Sequence, residues 1–200
     1  MFRWLSVLLV FLPMMAESSP VQPPELGIQA PGAQSGTIHV DPDRPTAGKR
    51  FRGVWFTPEN GIKTLVAYNA HSIWAQFDGQ TVSVSGEEYV PQGQAIQAPH
   101  FRIHRLTVTD PNATGHYISA GPETERSGTL TLARGEPGSK MANETWWVFR
   151  TGGMQYQLLN PGRWTLTQGE VTLRAHDVQR SPFSAHMSGP SLWVTTLKRR

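Results

Sequence analysis

Short apolar runs dominate the chain from Gly36 onward. Nearly every run is about four to eight residues long, is rich in Val, Thr, Trp, Phe and Tyr, and ends at Gly, Pro, Asn or Asp. Such runs are typical of β-strands separated by turns, and no stretch shows the apolar period of an amphipathic helix. The pattern predicts an all-β fold, most economically an antiparallel β-sandwich.

Two turns predict hairpins that each have one apolar face. The glycine pair at residues 152–153 sets a register in which Phe149 pairs with Tyr156. The turn at residues 168–169 predicts a second hairpin, with Trp164 on its apolar face.

A third hairpin is predicted around the Asp-Gly dipeptide at residues 78–79. Its two-residue register pairs Ala75 with Val82. The same register leaves Trp74 on the opposite face, among polar side chains. This interpretation therefore exposes Trp74.

The first residues have the layout of a secretory signal peptide. Arg3 precedes the apolar run WLSVLLVFLPMM, and small and polar residues follow. We expect a signal peptide at residues 1–18 and a Pro- and Gly-rich linker or arm at residues 19–35. An uncleaved membrane anchor is the alternative, although the run is shorter than the roughly 20 residues that span a bilayer. The expected location is extracellular, or periplasmic in a bacterium, with no transmembrane segment after removal of the signal.

The chain has 200 residues and no cysteine. Secreted chains often carry disulfides, so here burial alone must hold the fold together. Thiol catalysis, Cys-ligated zinc and iron–sulfur clusters are excluded. The formal net charge of +3 is small, and we expect no nucleic-acid partner.

Three histidines lie close together in the sequence, at positions 100, 104 and 116. On a strand, His100 and His104 share a face but stand about 13 Å apart, too far to chelate one metal ion. We expect surface histidines, no metal site and no cofactor. The apolar parity switches between Ile103 and Leu106, which predicts a bulge near His104.

Residues 36–134 resemble an immunoglobulin-like domain of variable or intermediate type without its cysteine pair. The stretches that carry the resemblance are IWAQFDGQTV, FRIHRLTVTDPNATGHYIS and SGTLTLARG. Trp74 matches the strand-C tryptophan of that family, and Gly115 and Tyr117 match its tyrosine corner. The resemblance implies that Trp74 is buried between two sheets, whereas the hairpin predicted at residues 78–79 exposes it. Residues 135–200 are expected to add hairpins or a second small β unit.

No catalytic signature occurs in the sequence. There is no G-x-S-x-G, no H-E-x-x-H and no P-loop. The adjacent acids Glu87 and Glu88 would point to opposite faces of a strand, so they are unsuited to act as a catalytic pair. We expect a protein that is not an enzyme.

Two sequons lie in turn-like contexts. If the source is a eukaryote or a virus of eukaryotes, Asn112 and Asn143 are predicted to carry N-glycans.

Three tryptophans are candidates for binding. Trp55, Trp74 and Trp146 each adjoin an apolar residue of opposite parity, so one member of each pair faces outward or toward a second layer. Exposed aromatic side chains suit protein or glycan recognition. The predicted function is a secreted binding protein for another protein, such as a viral secreted glycoprotein acting on a host protein. The alternatives are a carbohydrate-binding β-sandwich and a periplasmic metal-handling or hydrolytic protein.

Overall fold

A computed structural model describes residues 32–42, 52–93, 96–110, 115–181 and 189–199. The predicted signal peptide, most of the arm and Asn112 lie outside these ranges. The described chain consists of strands and two short 3₁₀ helices, which confirms the all-β prediction. The strands are β1 (Gln34–Val40), β2 (Val54–Pro58), β3 (Thr64–Ala67), β4 (Thr81–Tyr89), β5 (His100–Val108), β6 (Tyr117–Arg134), β7 (Thr145–Thr151), β8 (Met154–Leu158), β9 (Gly169–Arg180) and β10 (Ser191–Arg199); the first short helix is Ile73–Phe77 and the second is Pro161–Arg163.

The first five strands close into a ring. Strand β1 pairs with β2 and β4, β2 pairs with β3, and β4 pairs with β5, all antiparallel. A parallel contact between Leu65 of β3 and His100 of β5 closes the circle. We call this unit the first ring.

The last five strands repeat the same arrangement. Strand β6 pairs with β7 and β9, β7 with β8, and β9 with β10, all antiparallel, while β8 and β10 are parallel. In both rings the order is 1-2-3-5-4, and a short helix lies between the third and fourth strands. Five-stranded Greek-key barrels are one known way for a sheet to close on itself. We call this unit the second ring.

A glycine beneath a phenylalanine recurs in the two rings. A Cβ atom on Gly36 would lie 2.6 Å from the ring of Phe56, and one on Gly128 would lie 2.9 Å from the ring of Phe149. Each would lie still closer to the carbonyl oxygen of the residue after that phenylalanine. Only a residue without a side chain lets the first two strands of each ring approach this closely.

A bulge also recurs. The β4–β5 register skips His104, and the β9–β10 register skips Thr195. The bulge predicted near His104 is confirmed. Because each bulge lies at the corresponding point of its ring, residues of the two rings can be matched by counting from it.

Two clusters of buried apolar side chains fill the rings. The second cluster lies within the second ring and includes Leu130, Phe149 and Leu173. The first cluster extends beyond the first ring, because Val178 and Trp193 of the second ring belong to it. The rings are therefore joined by a continuous apolar contact.

The predicted hairpins have different outcomes. The register at residues 152–153 is confirmed, since Phe149 pairs with Tyr156. The hairpin at residues 168–169 is wrong, because β9 hydrogen-bonds to β6 on one edge and β10 on the other and has no edge left for residues 164–168. Trp164 still packs against the second cluster.

The hairpin at residues 78–79 is also wrong, because residues 73–77 form the first short helix. Asp78 has φ −52° and ψ 130°, and Gly79 has φ 74°. The amide of Gln80 donates to the carbonyl of Phe77 at 3.0 Å. These values are those of a type II turn, whereas a two-residue hairpin needs a primed turn.

The sheet is mixed, because β3–β5 and β8–β10 are parallel. The β-sandwich and the immunoglobulin-like unit at residues 36–134 stay predictions beside the two rings. Arg134, at the end of that predicted unit, is the last residue of β6.

Across the described ranges, no helix has the length and apolarity that a bilayer crossing requires.

We expect Gly36→Ala and Gly128→Ala each to destabilise the protein by about 1–3 kcal/mol, because the new methyl group must displace an aromatic ring and a backbone carbonyl. Chemical denaturation measures the loss. The control is Gly162→Ala, whose Cβ would have no atom within 4 Å. Equal stability of all three variants would contradict the close approach.

Candidate binding surface

The candidate site lies on the outside of the first ring, across β2, β3, β5 and β4. Phe101 and Ile103 of β5 point into the first cluster, so His100 and Arg102 point outward. The register places Tyr89 of β4 opposite His100. We call the set formed by Trp55, Leu65, Tyr68, Tyr89, His100 and Arg102 the aromatic face.

Two buried residues form the floor of the aromatic face. Leu65 pairs with both Trp55 and His100, and it is fully buried. His100 is only 3% exposed. The floor is therefore dry, although it lies on the outside of a strand ring.

Two tyrosines enclose His100. The hydroxyl of Tyr68 lies 2.5 Å from Nε2 of His100, and the rings of Tyr68 and Tyr89 are each centred 5.5 Å from the imidazole. Tyr68 is itself 41% exposed. These contacts hold the aromatic rings in place while one of them stays accessible.

Charged groups border the tyrosines. The guanidinium carbon of Arg102 lies 4.9 Å from the centre of the Tyr89 ring, and its Nη1 donates to Glu87 at 2.6 Å. Burial, and then Tyr68, raise the pKa of Tyr89, while Arg102 acts in the opposite direction. Tyr89 is therefore a neutral hydroxyl at physiological pH, able to donate and to accept.

Trp55 extends the face on β2. Its Nε1 donates to Oδ2 of Asp41 at 2.8 Å, and the amide of Gly53 donates to the same oxygen at 3.1 Å. The ammonium of Lys63 lies 4.5 Å from the centre of the indole. The hydrogen bond to Asp41 and the cation–π contact with Lys63 thus help to fix the half-buried indole.

The matching face of the second ring is covered. Arg102 and Trp193 each lie two residues before the bulge of their ring, and they pair with Glu87 and His176 respectively. Arg102 and Glu87 are more than half exposed, whereas Trp193 and His176 are buried. Trp74 of the first ring packs edge-on against His176, with ring centres 4.9 Å apart.

His176 is held in this contact as a neutral imidazole. Its Nδ1 lies 2.8 Å from the carbonyl oxygen of Gly121. Burial lowers the pKa of His176, and the Gly121 hydrogen bond, Glu123 and Asp177 oppose that shift to a smaller extent. Both acids are paired, Glu123 with Arg174 and Asp177 with a second arginine.

The structure separates the three predicted tryptophans. Trp55 lies on the aromatic face. Trp74 is 7% exposed in the first cluster, so the exposed position predicted for it is wrong; the short helix turns it onto the second ring. Trp146 is half-buried on β7, opposite Ala133. Asn143 is exposed in the turn before β7, and its glycosylation stays a prediction.

One of the three histidines that were expected on the surface is buried. His100 is buried rather than on the surface, because the two tyrosines cover it. His104 is half exposed, with Nε2 3.7 Å from Glu87. In the described ranges, no three His, Cys, Asp or Glu side chains come together in a way that could hold a metal ion.

Sequence reasoning missed Tyr68, Tyr89 and Arg102. One available signal was the position of Tyr89 and His100 on either side of the Pro- and Gln-rich stretch of sequence at residues 90–99. A second signal was the near-repeat of SGTIHV in SGTLTL, which marks the first strand of the first ring and the matching stretch of β6.

Comparison with protein-family models, curated proteins and solved structures finds no match for this chain.

We expect Trp74→Ala to cost about 3–5 kcal/mol of the free energy of unfolding, because it empties the contact between the rings. Ile62→Ala is the control, at a side chain that is mostly exposed, and should change stability by less than about 0.5 kcal/mol. Urea denaturation of both variants checks the difference. A Trp74→Ala protein as stable as the control would contradict the buried position.

We expect the stability that His176 contributes to fall as the pH drops. Its folded pKa is below the unfolded value of 6.5, so the unfolded chain takes up a proton first and stability is lost from about pH 6.5 downward. His176→Asn keeps a donor for Gly121 but cannot titrate, and should flatten this dependence. His104→Asn is the matched control, and unfolding is measured between pH 7.5 and 5. A slope that His176→Asn leaves unchanged would refute the assignment.

Proposed function

We propose that the protein is a secreted binding protein, without enzymatic activity, that recognises another protein through the aromatic face. The observation that supports it most is the clustering of Trp55, Tyr68, Tyr89 and Arg102 on one accessible surface. Trp, Tyr and Arg are the residues that dominate binding energy at protein interfaces.

The construction of the face supports this role. Trp55 and Tyr89 stand on strands, and Tyr68 directly follows β3. The His100 contact fixes Tyr68, and the Asp41 hydrogen bond fixes Trp55. A partner would therefore lose little side-chain entropy on binding. The Arg102–Glu87 pair at the border can exchange its partners for those of an incoming protein, which suits the polar rim of an interface.

The second ring supports the choice of surface. Its matching positions, His176 and Trp193, are already an interface, since the first ring covers them through Trp74. The same place on the first ring carries charged and polar side chains instead. Such a composition suits a partner that associates and dissociates, whereas the apolar version suits permanent packing.

The cellular setting belongs to the proposal. The signal peptide at residues 1–18 and an extracellular or periplasmic location follow from the sequence pattern alone. The sandwich and immunoglobulin-like topology are not needed by the proposed surface, which depends only on the strand pairing of the first ring.

Glycan binding is the second candidate. Tyr68 and Trp55 are partly exposed, and the ion pair of Arg102 with Glu87 lies on the same side of the first ring. Aromatic rings stack on sugar rings, and charged side chains form hydrogen bonds with the hydroxyl groups of the sugar. Five-stranded Greek-key barrels include oligosaccharide-binding proteins, an analogy of architecture alone.

We expect Tyr68→Ala and Arg102→Ala each to weaken binding of the partner at least about tenfold, as loss of an interface hot spot does. The immobilised protein is probed with a panel of purified extracellular proteins and with a glycan array, and each hit is titrated. Met154→Ala, at an exposed side chain of β8, is the matched control and should bind as the wild type does.

The outcomes separate the candidates. A protein hit that depends on Tyr68 and Arg102 supports the proposal, and a glycan hit with the same dependence supports the second candidate instead. A hit unaffected by both variants would place recognition elsewhere on the molecule.

A further inference from the structure

A groove of about 310 Å³ lies where the two rings meet, apart from the aromatic face. The turn after β3 and the first short helix form one wall, and the second short helix forms the other. The described lining residues are Ala70, His71, Gln76, Leu159, Asn160, Pro161, Gly162, Arg163 and Trp193. Ligand sites are common at such junctions, and this volume is at the small end of their range.

Two side chains of the lining are buried, and one of them is held by two hydrogen bonds. Asn160 donates from Nδ2 to the carbonyl of Val194 at 2.8 Å and accepts from the amide of Val194 at 2.9 Å. Trp193 is 7% exposed, and its buried Nε1 has no hydrogen-bond partner in the described part of the chain. One side of the groove is therefore formed by a buried indole and a hydrogen-bonded amide, a wall that needs little reorganisation to accept a flat ligand.

The charge of the groove is positive. Arg163 is exposed, and one of its five N–H groups is used by the carbonyl of His71, at 3.0 Å from Nη1. Gln76 and His71 add exposed polar side chains. The described lining residues include no Asp or Glu, so none of them neutralises the guanidinium.

We propose that this groove binds a small carboxylate carried on a six-membered ring. Arg163 would bind the carboxylate, for which the planar guanidinium is the best-suited side chain. Trp193, Leu159 and Pro161 would contact the ring. A sugar acid and an aromatic acid share this chemistry, and the volume admits either.

The test uses the full chain and four probes: D-glucuronate and benzoate, with D-glucose and benzamide as their neutral counterparts. Saturation-transfer NMR detects binding, and calorimetric titration measures affinity. At least one acid should bind, and its neutral counterpart should bind at least tenfold more weakly. The acid that binds shows whether the groove takes a sugar acid or an aromatic acid.

The variants assign binding to the groove. Arg163→Ala should weaken binding of the acid at least tenfold. Arg134→Ala, at an exposed arginine at the end of β6, and Tyr68→Ala on the aromatic face should leave it unchanged. Circular dichroism and urea denaturation verify that Arg163→Ala is folded, and Gln76→Ala provides a second, milder variant that should weaken binding several-fold.

Three results would overturn the proposal. The first is that neither acid binds at millimolar concentration. The second is that an acid and its neutral counterpart bind equally well. The third is that the acid binds folded Arg163→Ala as tightly as it binds the wild type. Because Tyr68→Ala tests the aromatic face separately, failure of the groove and failure of the proposed function are distinguishable.

Discussion

The packing of Trp74 against His176 determines how the two rings use their surfaces. It buries the outer face of the second ring, including Trp193, and leaves the matching face of the first ring open. It also brings the chain around His71 beside the second short helix, where the groove forms. The groove thus forms beside this aromatic contact, and the imidazole of His176 makes the contact sensitive to acid.

The two rings show how one backbone plan accommodates different roles. Strand order, the glycine beneath a phenylalanine and the bulge all match. The side chains at corresponding outer positions do not, since Glu87 and Arg102 stand where His176 and Trp193 stand in the second ring. A charged pair keeps a surface hydrated, whereas an imidazole and an indole favour burial. The difference between the two outer faces therefore lies in those few outward positions rather than in the backbone plan.

The rings are stable without disulfides because each closes on itself. Closure satisfies the backbone groups that an open sheet would leave at its edges. It requires close approach of the first two strands, which Gly36 and Gly128 permit. The long strand β6 then links the rings, pairing with β5 at Ala120 and with β7 further along.

The sequence by itself determined the elements that depend on neighbours along the chain. The β character, the hairpin that pairs Phe149 with Tyr156 and the bulge near His104 follow from alternation and local turn chemistry. Only the tertiary structure decided the positions of Trp74 and His100, and it placed Tyr68, Tyr89 and Arg102 together. Ring closure and ring–ring packing join residues far apart in sequence, and a pattern of apolar and polar positions carries no information about which distant strands pair.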